Sequence, residues 1–510
     1  MILGEVSRAT GIATTLDDLF RRAGVRHPNM PALVDPPNRE SFTDGAPRVL
    51  SYAQADRAIS AVAARLRALG LQTDAVIAIQ LPNTVDSIIA FLGVLRAGMI
   101  AAPVPLLWRR RELTDALGRI GAKAIMTCAR AGSADHAEIA MHTAAALFPI
   151  RHVCSFGSPL PDGIVSLDDV FATGVADAAA TLIRSDPAAA HVAAVTFGVD
   201  GRGIVPVARS HIELISGGLA VFLESGLAPD AEFLSTIPIS TFAGMALTVV
   251  PWLLSGGTLH LHHGFDPGAF STQRNTIKCS MMTLPAPVLP VLSAAGLLDD
   301  ATCTLVALCR TPERLSVTKP WEGAAPVVDV ASFGEVGLVA ARRNEHALPL
   351  PIPHGVISAP RGAIGAMTVV ETARSDAGIL TMRGPMVPAA PFPPGAEHSH
   401  AQRLSTDPAG YVDTGFACRL DTQSQALAIT VPPPGIVTIG GYSLRQAEVD
   451  SLVTKTDAEA TIVSLPDRNL GHRLGGTAEN RAAVAADLEA QGVNPLISGA
   501  FRPRGAAEAT

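Results

Sequence analysis

The chain has 510 residues, of which 48% are hydrophobic and 17% charged, and its mean hydropathy is +0.31. This composition excludes a disordered protein, and the length allows two to four domains, each with its own core. The net charge of -7 argues against nucleic acid or an anionic membrane as the main partner, so small neutral or apolar ligands fit better.

Three features of the sequence indicate a cytoplasmic protein. The six cysteines are scattered without a Cys-x-x-Cys pair, so we expect free thiols and no zinc site. The N-terminus has no charged segment ahead of an apolar core, so we expect no signal peptide. Residues 233–265 contain no Asp, Glu, Lys or Arg, but Pro238 and Pro251 interrupt them, which predicts a buried core and no membrane span.

From Ser51 onward the sequence alternates between helix and strand patterns. Ala58, Val62, Leu66 and Leu69 recur at helical spacing behind a possible N-cap at Ser51. Further along we expect, in order, a strand at 75–79, a helix that ends at Gly98, a strand at 100–104, a helix at 112–121 and a strand at 123–128. This alternation is typical of a parallel sheet covered by helices, in which ligands bind at the carboxyl ends of the strands.

A glycine-rich segment follows an apolar run at 191–195, which we interpret as a short buried strand. Gly198, Gly201 and Gly203 fall within six residues and precede a helical pattern. A strand, a glycine-rich loop and a helix together suggest a nest of backbone N–H groups that binds an anion. Most glycine-rich loops are simple turns, so this segment by itself leaves both interpretations open.

The segment from Thr196 to His211 resembles the phosphate loop of the adenylate-forming superfamily, the acyl- and aryl-CoA synthetases. That loop has the pattern T-S-G-T-T-G-x-P-K-G and is followed by a Ser/Thr-His pair. The matching residues are Thr196, Gly198, Gly201, Ser210 and His211, and the replaced ones are Phe197, Val199, Asp200 and Ile204. The family's lysine is replaced by Ile204. Arg202 could supply the missing charge, whereas Asp200 would repel a phosphate.

The resemblance extends over nearly the whole chain. Residues 50–71, 76–106 and 109–126 are similar to the family's N-terminal subdomain, and residues 234–267 resemble the segment that lines its acyl pocket. Ser240 and Thr241 replace a Phe-His pair that is frequent there. The resemblance implies a pocket for an apolar acid, formed by His211, Thr241, Phe242 and Gly244. A helix core would explain the same residues equally well.

Residues 331–337, ASFGEVG, resemble the family's Y-G-x-T-E-x-G motif, in which the glutamate holds Mg²⁺ and the tyrosine packs on adenine. Glu335 matches the glutamate and is therefore the implied catalytic and metal-binding residue. The resemblance places Ser332, Phe333 and Gly334 at the nucleotide, although Ala331 replaces the tyrosine. Arg383-Gly384-Pro385 matches a structural landmark of the family.

Residues 410–421 resemble the motif whose aspartate binds both ribose hydroxyls of the nucleotide. That position is Phe416, which has no hydrogen-bond acceptor, and by the resemblance we assign Asp413, three residues earlier, to nucleotide binding. In place of the family's hinge the chain has Pro432-Pro433-Pro434, a stiff extended segment. Gly440, Gly441 and Glu448 match the motif beyond the hinge, and we assign Gly440 and Gly441 to CoA binding by resemblance.

The C-terminal end departs furthest from the family, because the closing segment with its adenylating lysine is missing. The chain has only four lysines, Lys123, Lys278, Lys319 and Lys455. Arg502 or Arg504 could supply charge in the last segment, although a disordered tail explains it better.

Two histidine groups are further candidates for a metal site. His260, His262 and His263 form one group, and His398 and His400 form the other. Alternation along a strand would place each i, i+2 pair on one face, as a metal site requires. Neither group has cysteine or carboxylate support nearby, so a metal site is the weaker interpretation.

These observations predict an α/β protein. We expect a large N-terminal adenylate-forming domain, residues 1–430, built from parallel sheets covered by helices. A small, shortened α+β C-terminal domain, residues 431–510, follows the proline-rich hinge. The resemblance implies ATP or AMP and Mg²⁺ as cofactors, with the possibility that their binding is lost, and CoA as a possible further ligand. The expected partner is a small carboxylic acid or acyl group, and a second copy of the chain or another protein is the open alternative.

Two functional hypotheses follow from the resemblance. The family joins a carboxylic acid to AMP at the expense of ATP and then transfers the acyl group to a thiol, usually CoA. The chain could be an active carboxylic acid-CoA ligase with compensating residues. The combined loss of the loop lysine, the adenine tyrosine, the ribose aspartate, the hinge pair and the terminal lysine favours a pseudoenzyme with a binding role.

Overall fold

The computed structural model describes residues 14–172, 188–315, 320–358, 368–389, 404, 406–467 and 469–502. Its helices are α1 (Leu16–Arg26), α2 (Arg39–Phe42), α3 (Tyr52–Ala68), α4 (Val85–Arg96), α5 (Arg110–Arg119), α6 (His136–Ala146), α7 (His211–Ser225), α8 (Phe242–Ser255), α9 (Pro267–Thr276), α10 (Leu289–Ala294), α11 (Gln446–Thr456), α12 (Arg481–Ala490) and α13 (Pro495–Ser498).

The strands fall into four larger sheets and one short hairpin. They are β1 (Pro31–Val34), β2 (Val49–Ser51), β3 (Val76–Ile79), β4 (Ile100–Pro103), β5 (Ala124–Cys128), β6 (Arg130–Ala131), β7 (Ala134–Asp135), β8 (His152–Phe156), β9 (Val165–Ser166), β10 (Val192–Asp200), β11 (Gly203–Ser210), β12 (Glu232–Ser235), β13 (Thr258–Leu261), β14 (Met281–Pro285), β15 (Thr304–Cys309), β16 (Val327–Phe333), β17 (Gly337–Arg342), β18 (Ile352–Pro353), β19 (Gly355–Ser358), β20 (Thr368–Arg374), β21 (Ile379–Arg383), β22 (Val412–Asp421), β23 (Ala426–Val431), β24 (Ile436–Ile439), β25 (Tyr442–Arg445), β26 (Thr461–Asp467) and β27 (Gly471–Thr477).

The first large sheet confirms the predicted alternation of helix and strand. Its strand order is β11-β10-β4-β3-β5-β8-β9, and all neighbours are parallel except β10 and β11. Strands β3, β4 and β5 are buried throughout, as the short apolar runs predicted, because helices cover both faces of a parallel sheet. Ser51 caps α3 as predicted, accepting a hydrogen bond from Gln54 N.

The second large sheet has the order β17-β16-β15-β14-β12-β13-β1-β2, with antiparallel strands at its two edges. The uncharged residues 233–265 form β12, α8 and β13 here, and α8 is buried along nearly all of its length. This confirms the predicted core. No helix among the described residues is long and apolar enough to cross a membrane.

Two smaller sheets complete the fold. An antiparallel sheet, β18-β23-β22-β21-β20-β19, carries Phe416 on β22. Beyond it, β25-β24-β27-β26 and helices α11 and α12 enclose a separate small core that includes Leu452, Leu488 and Phe501. The predicted α/β class, with a large N-terminal part and a smaller C-terminal one, is therefore confirmed.

Candidate functional site

The glycine-rich segment is a tight hairpin, and the predicted order of strand, loop and helix is wrong. Strand β10 continues through Gly198 to Asp200, and β11 pairs with it from Gly203 onward. Only Gly201 and Arg202 remain as the turn, and helix α7 starts eight residues after Gly203. Because backbone N–H groups paired in a ladder cannot converge on an anion, this hairpin forms no nest of the predicted kind.

Arg202 is neutralised within the same turn. Its guanidinium pairs with the Asp200 carboxylate at 2.8 Å, and its backbone N–H donates to the other carboxylate oxygen at 2.7 Å. Ile204, at the position of the family's lysine, pairs with Val199 in the ladder. The loop therefore offers no unpaired positive charge to a phosphate.

Glu335 lies in the turn between β16 and β17, with its side chain in the protein interior. Its carboxylate accepts a hydrogen bond at 2.8 Å from the N–H of Phe242, the first residue of α8. Burial raises the pKa of Glu335, an effect that the nearby Thr196 hydroxyl and Arg209 partly offset. Thr196 Oγ1 itself has no hydrogen bond of ordinary geometry. An added Cβ at Gly198 would lie 3.8 Å from Glu335 Cβ, so Thr196, Gly198 and Glu335 do come together.

Arg209 is a buried cation beside Glu335 that the sequence analysis missed. Its guanidinium donates to the carbonyl oxygens of Glu335, Val336 and Met386, and lies 3.6 Å from the centre of the Phe242 ring. Burial lowers the pKa of Arg209 to about 10, so the side chain stays charged at neutral pH. It fixes the β16–β17 turn against α8 and places a positive charge next to the Glu335 carboxylate.

Arg310 is a second cation that the sequence analysis missed, and it joins the site to the C-terminal sheet. It follows the buried strand β15, where an arginine at the carboxyl end of an apolar run was the available signal. One guanidinium nitrogen donates to Thr241 Oγ1 at 3.0 Å and another to the carbonyl oxygen of Gly441 at 2.9 Å. Gly440 and Gly441 form the β24–β25 turn with positive φ, and a Cβ on Gly441 would lie 2.8 Å from Arg310 Cδ. CoA binding by these glycines stays a prediction.

The residues predicted to bind an acid lie at the start of α8. Thr241 is the N-cap of the helix and accepts a hydrogen bond from Gly244 N at 3.1 Å. Phe242 packs into α7, because a Cβ on Gly217 would come within 2.4 Å of its ring. A Cβ on Gly244 would lie 1.9 Å from the carbonyl oxygen of Pro238, so close backbone packing requires a glycine there. These contacts are those of a helix core, and acid binding by the three residues stays a prediction.

His211 is the first residue of α7. Its Nδ1 accepts a hydrogen bond from Leu16 N at 3.3 Å, which attaches α1 to α7. The preceding residue, Ser210, caps α7 together with Glu213. The Ser-His pair thus has a structural role in this fold, and a role of His211 in binding an acid stays a prediction.

An aromatic pair occupies the position of the ribose aspartate. Phe416 packs edge to face against Phe333, with ring centroids 5.5 Å apart, and both rings are buried. Ser332 is buried beside Phe333, and Gly334 forms the exposed turn with φ +56. Asp413 is exposed on β22 and accepts a hydrogen bond from Gly415 N at 2.6 Å. At this position the family has a carboxylate, whereas this chain has two packed apolar rings.

A narrow cleft adjoins Thr241 at the carboxyl ends of β3 and β4. It is partly open to solvent and leaves only about 30 Å³ of free space between its walls, and its lining is mainly apolar. The polar side chains in the lining are Asn83, Ser87, Ser240, His263 and Tyr442. Burial lowers the pKa of His263 to about 4 and raises that of Tyr442, so both are uncharged at neutral pH. The cleft therefore suits an uncharged, apolar ligand.

The histidines at 260–263 point to separate partners. His260 faces Glu232 at 3.6 Å, His262 bonds to Gln273 at 3.0 Å, and His263 packs against Phe42 with the two rings tilted by 59°. Among the described residues no group of three His, Cys, Asp or Glu side chains is arranged to hold a metal. His398, His400 and Arg504 lie outside the described residues. All six cysteines are free and buried, as expected.

These groups do not fit a magnesium nucleotide. The Glu335 carboxylate caps a helix beside two arginines, the phosphate loop is a two-residue turn, and Phe416 offers no acceptor to a ribose. A magnesium site needs carboxylate oxygens free to bind the ion, and a triphosphate needs N–H donors and positive charge along the loop.

Known proteins give an independent comparison. The family model described as AMP-binding enzyme matches residues 20–197. A relative from Mycobacterium tuberculosis, an (octahydro-1H-inden-4-yl)propanoyl:CoA ligase, is 26% identical over 438 residues, which cover 81% of this chain and 80% of that protein.

Solved structures share the fold. The amide bond synthetase McbA from Marinactinospora thermotolerans superposes with a TM-score of 0.67 at 18% identity, over 95% of this chain and 94% of that one. The o-succinylbenzoate CoA synthetase of Bacillus subtilis gives a TM-score of 0.68 at 14% identity, over 95% and 93% of the two chains. The resemblance inferred from the motifs is thereby confirmed: residues 20–197 match the model of AMP-binding enzymes, and the chain is similar over most of its length to a CoA ligase and shares the fold of adenylate-forming enzymes.

Proposed function

We propose that this chain is a non-ligating member of the superfamily that binds an acyl group without activating it with ATP. The observation that carries the proposal is the position of Glu335. Its carboxylate caps α8 through Phe242 N and lies beside Arg209, so the side chain implied to hold Mg²⁺ serves to join β16 to α8. Turning this carboxylate towards a metal ion would leave the buried Phe242 N–H without its acceptor, at a cost of about 1–3 kcal/mol.

The cleft beside Thr241 supports the binding half of the proposal. Its lining is largely apolar, and its titratable groups, His263 and Tyr442, are uncharged at neutral pH. Desolvating an acyl chain in such surroundings is favourable, whereas a free carboxylate would find no charged side chain in the lining. The ligand class that matches the chemistry of this lining is thus an acyl chain or its thiol ester.

Calorimetry with four ligands tests the proposal. We expect no heat with MgATP, AMP or hexanoate up to millimolar concentrations, and saturable binding of hexanoyl-CoA. Ser240→Phe would place a ring in the cleft and abolish acyl binding, whereas Ser424→Phe, an exposed serine in the β22–β23 turn, would leave it unchanged. Micromolar binding of MgATP to the wild-type protein would overturn the proposal.

A second candidate is an active carboxylic acid-CoA ligase with a compensating residue. Arg310 favours it, because this guanidinium lies against Thr241 in the interior, and a desolvated positive charge there could stabilise a developing negative charge. Pyrophosphate release from ATP with a panel of carboxylic acids, lost in Arg310→Ala, would support this candidate. No release with any acid would exclude it for that panel.

We also propose that the chain divides into residues 1–430 and 431–510. Strand β23 of the antiparallel sheet ends at Val431, and the C-terminal sheet begins at Ile436, with Pro432-Pro433-Pro434 between them. Limited proteolysis should cut first in this linker and release a C-terminal fragment. A first cut elsewhere in the described ranges would contradict the proposed boundary.

A further inference from the structure

The guanidinium group of Arg209 lies in a pocket that several oxygen atoms line. One of its nitrogens donates to the carbonyl oxygen of Met386 at 2.5 Å, and another donates to the carbonyl oxygens of Glu335 and Val336. These carbonyl groups come from two separate segments, the β16–β17 turn and the chain after β21. The Arg209 side chain is 0% exposed, so the three oxygens face the guanidinium group and not water.

Other groups around this pocket also favour a positive charge. The guanidinium carbon of Arg209 lies over the face of the Phe242 ring, 3.6 Å from its centre. The carboxylate of Glu335 acts on the same charge, and the Thr196 hydroxyl lies beside that carboxylate without a hydrogen bond of ordinary geometry. Hard cations bind carboxylate and carbonyl oxygens in proteins, and an aromatic face attracts a cation. The pocket therefore has the chemistry of a cation site.

The hydrogen bonds of Arg209 differ from those of an ordinary ion pair. An arginine commonly binds a carboxylate through two parallel hydrogen bonds, as Arg343 does with Asp329 at 2.9 Å for both bonds. Among the described residues, the hydrogen bonds of the Arg209 guanidinium go to backbone carbonyl groups alone. Backbone carbonyl groups also bind metal ions such as Ca²⁺. Arg209 is thus held in the way that proteins hold a hard cation.

We infer that this pocket is a cation site that the chain fills with its own arginine. The resemblance implied a divalent ion at Glu335, whereas here the Arg209 side chain supplies the positive charge beside that residue. The carbonyl groups of Val336 and Met386 extend the site beyond the single implied glutamate. The inference rests on the proposed function in one respect, since both take Glu335 to hold no metal ion. Removal of the arginine side chain should leave a pocket that accepts a small cation from solution.

Thermal unfolding of Arg209→Ala with added cations tests the inference. The substitution removes the hydrogen bonds of a buried charge, so the melting temperature should fall by about 5 °C or more. Guanidinium chloride at low millimolar concentration should raise it again, because the free ion replaces the lost group, and CaCl₂ should raise it through the carboxylate of Glu335. The wild-type protein should respond to neither salt beyond the effect of NaCl at equal ionic strength. A rise with one of the two cations is enough to support the inference.

Two further variants distinguish this pocket from general effects of salt. Arg342→Ala removes a guanidinium group that also donates to backbone carbonyl oxygens, those of Glu224 and Ser225, but Arg342 is exposed. Its melting temperature should not respond to either cation. In Arg209→Ala combined with Glu335→Gln, the response to CaCl₂ should disappear because the carboxylate is gone. Part of the response to guanidinium should remain, because the carbonyl groups are intact.

Arg209→Lys and Arg209→Gln test the same inference if the alanine variant does not fold. Lysine keeps the positive charge, whereas glutamine keeps N–H donors without the charge. We expect the lysine variant to have the higher melting temperature, and the opposite order would overturn the inference. So would a folded Arg209→Ala that responds to neither cation more than the wild type does. None of these measurements uses a nucleotide or an acyl ligand, so failure of this inference is distinguishable from failure of the proposed function.

Discussion

The carboxylate of Glu335 accepts a hydrogen bond from the backbone N–H of Phe242 at 2.8 Å, across two elements that are 93 residues apart in the chain. The N–H groups of the first turn of a helix have no partners within the helix, and a carboxylate there also interacts favourably with the helix dipole. Glu335 therefore has a structural role that is independent of any ligand. Its substitution should lower the stability of the protein.

We expect Glu335→Ala to lower the free energy of unfolding by about 1–3 kcal/mol, because it leaves a buried N–H without an acceptor. Glu335→Gln keeps a side-chain oxygen for Phe242 N and should cost less. Equilibrium unfolding in urea measures both. Equal stability of both variants and the wild type would contradict the capping role and return Glu335 to consideration as a metal ligand.

Phe416 packs against Phe333 at a position where the family contacts its ligand. Substitution of Phe416 should therefore lower the stability of the protein. Phe416→Ala should cost about 3–5 kcal/mol of unfolding free energy, and Phe416→Leu, which keeps most of the volume, less than about 1.5 kcal/mol. Phe416→Asp restores the family's residue but buries a carboxylate, so we expect a lower melting temperature and no gain in affinity for MgATP. A gain in nucleotide affinity without loss of stability would show that Phe416 lies at an open nucleotide site.

Because Gly441 contacts Arg310, its substitution should cost more stability than substitution of Gly435, another glycine of the C-terminal part. Gly435 and Gly441 both have positive φ, +71 and +92, but only Gly441 lies against another side chain within 4 Å. Gly435→Ala should cost about 1 kcal/mol for its backbone conformation alone. Gly441→Ala should cost more and speed hydrogen exchange in β24 and β25, because its methyl group would displace Arg310. Equal effects of the two substitutions would argue against the Arg310 contact.

Buried histidines predict that acid destabilises the protein. His136 lies in the core, bonded to Gln80 at 3.2 Å, and burial lowers its pKa to about 3. In the unfolded chain a histidine binds a proton below about pH 6.5, so the unfolded state gains protons first and stability falls as the pH drops from about 6.5 towards 3.

For His136 alone this loss amounts to about 1 kcal/mol between pH 7.5 and 5.5. The variant His136→Asn should show a shallower fall in melting temperature over this range than the wild type, since Asn does not titrate. Burial also lowers the pKa values of His260 and His263 to about 4. The melting temperature of the variant should therefore still fall with pH, but less steeply than that of the wild type. Parallel curves for the two proteins would contradict the assignment to His136.

The sequence by itself determined several elements of the first sheet and the resemblance to a family. Apolar runs between turns located β3, β4 and β5, and the cap at Ser51 located the start of α3, because these signals are local and repeat at the period of the element. It also identified the positions where the chain departs from its relatives, such as Ile204 and Phe416, since a motif can be compared residue by residue.

Only the tertiary structure decided what those positions do. The glycine-rich segment became a hairpin because the β10–β11 ladder extends to Asp200 and Gly203, which depends on pairing between strands. The place of Arg209 and Arg310 near the carboxyl ends of apolar strands was the one signal in the sequence, and it did not show their partners, which come from elements more than 60 residues away. A buried charge is defined by what surrounds it, and those surroundings exist only once the sheets have packed against α8.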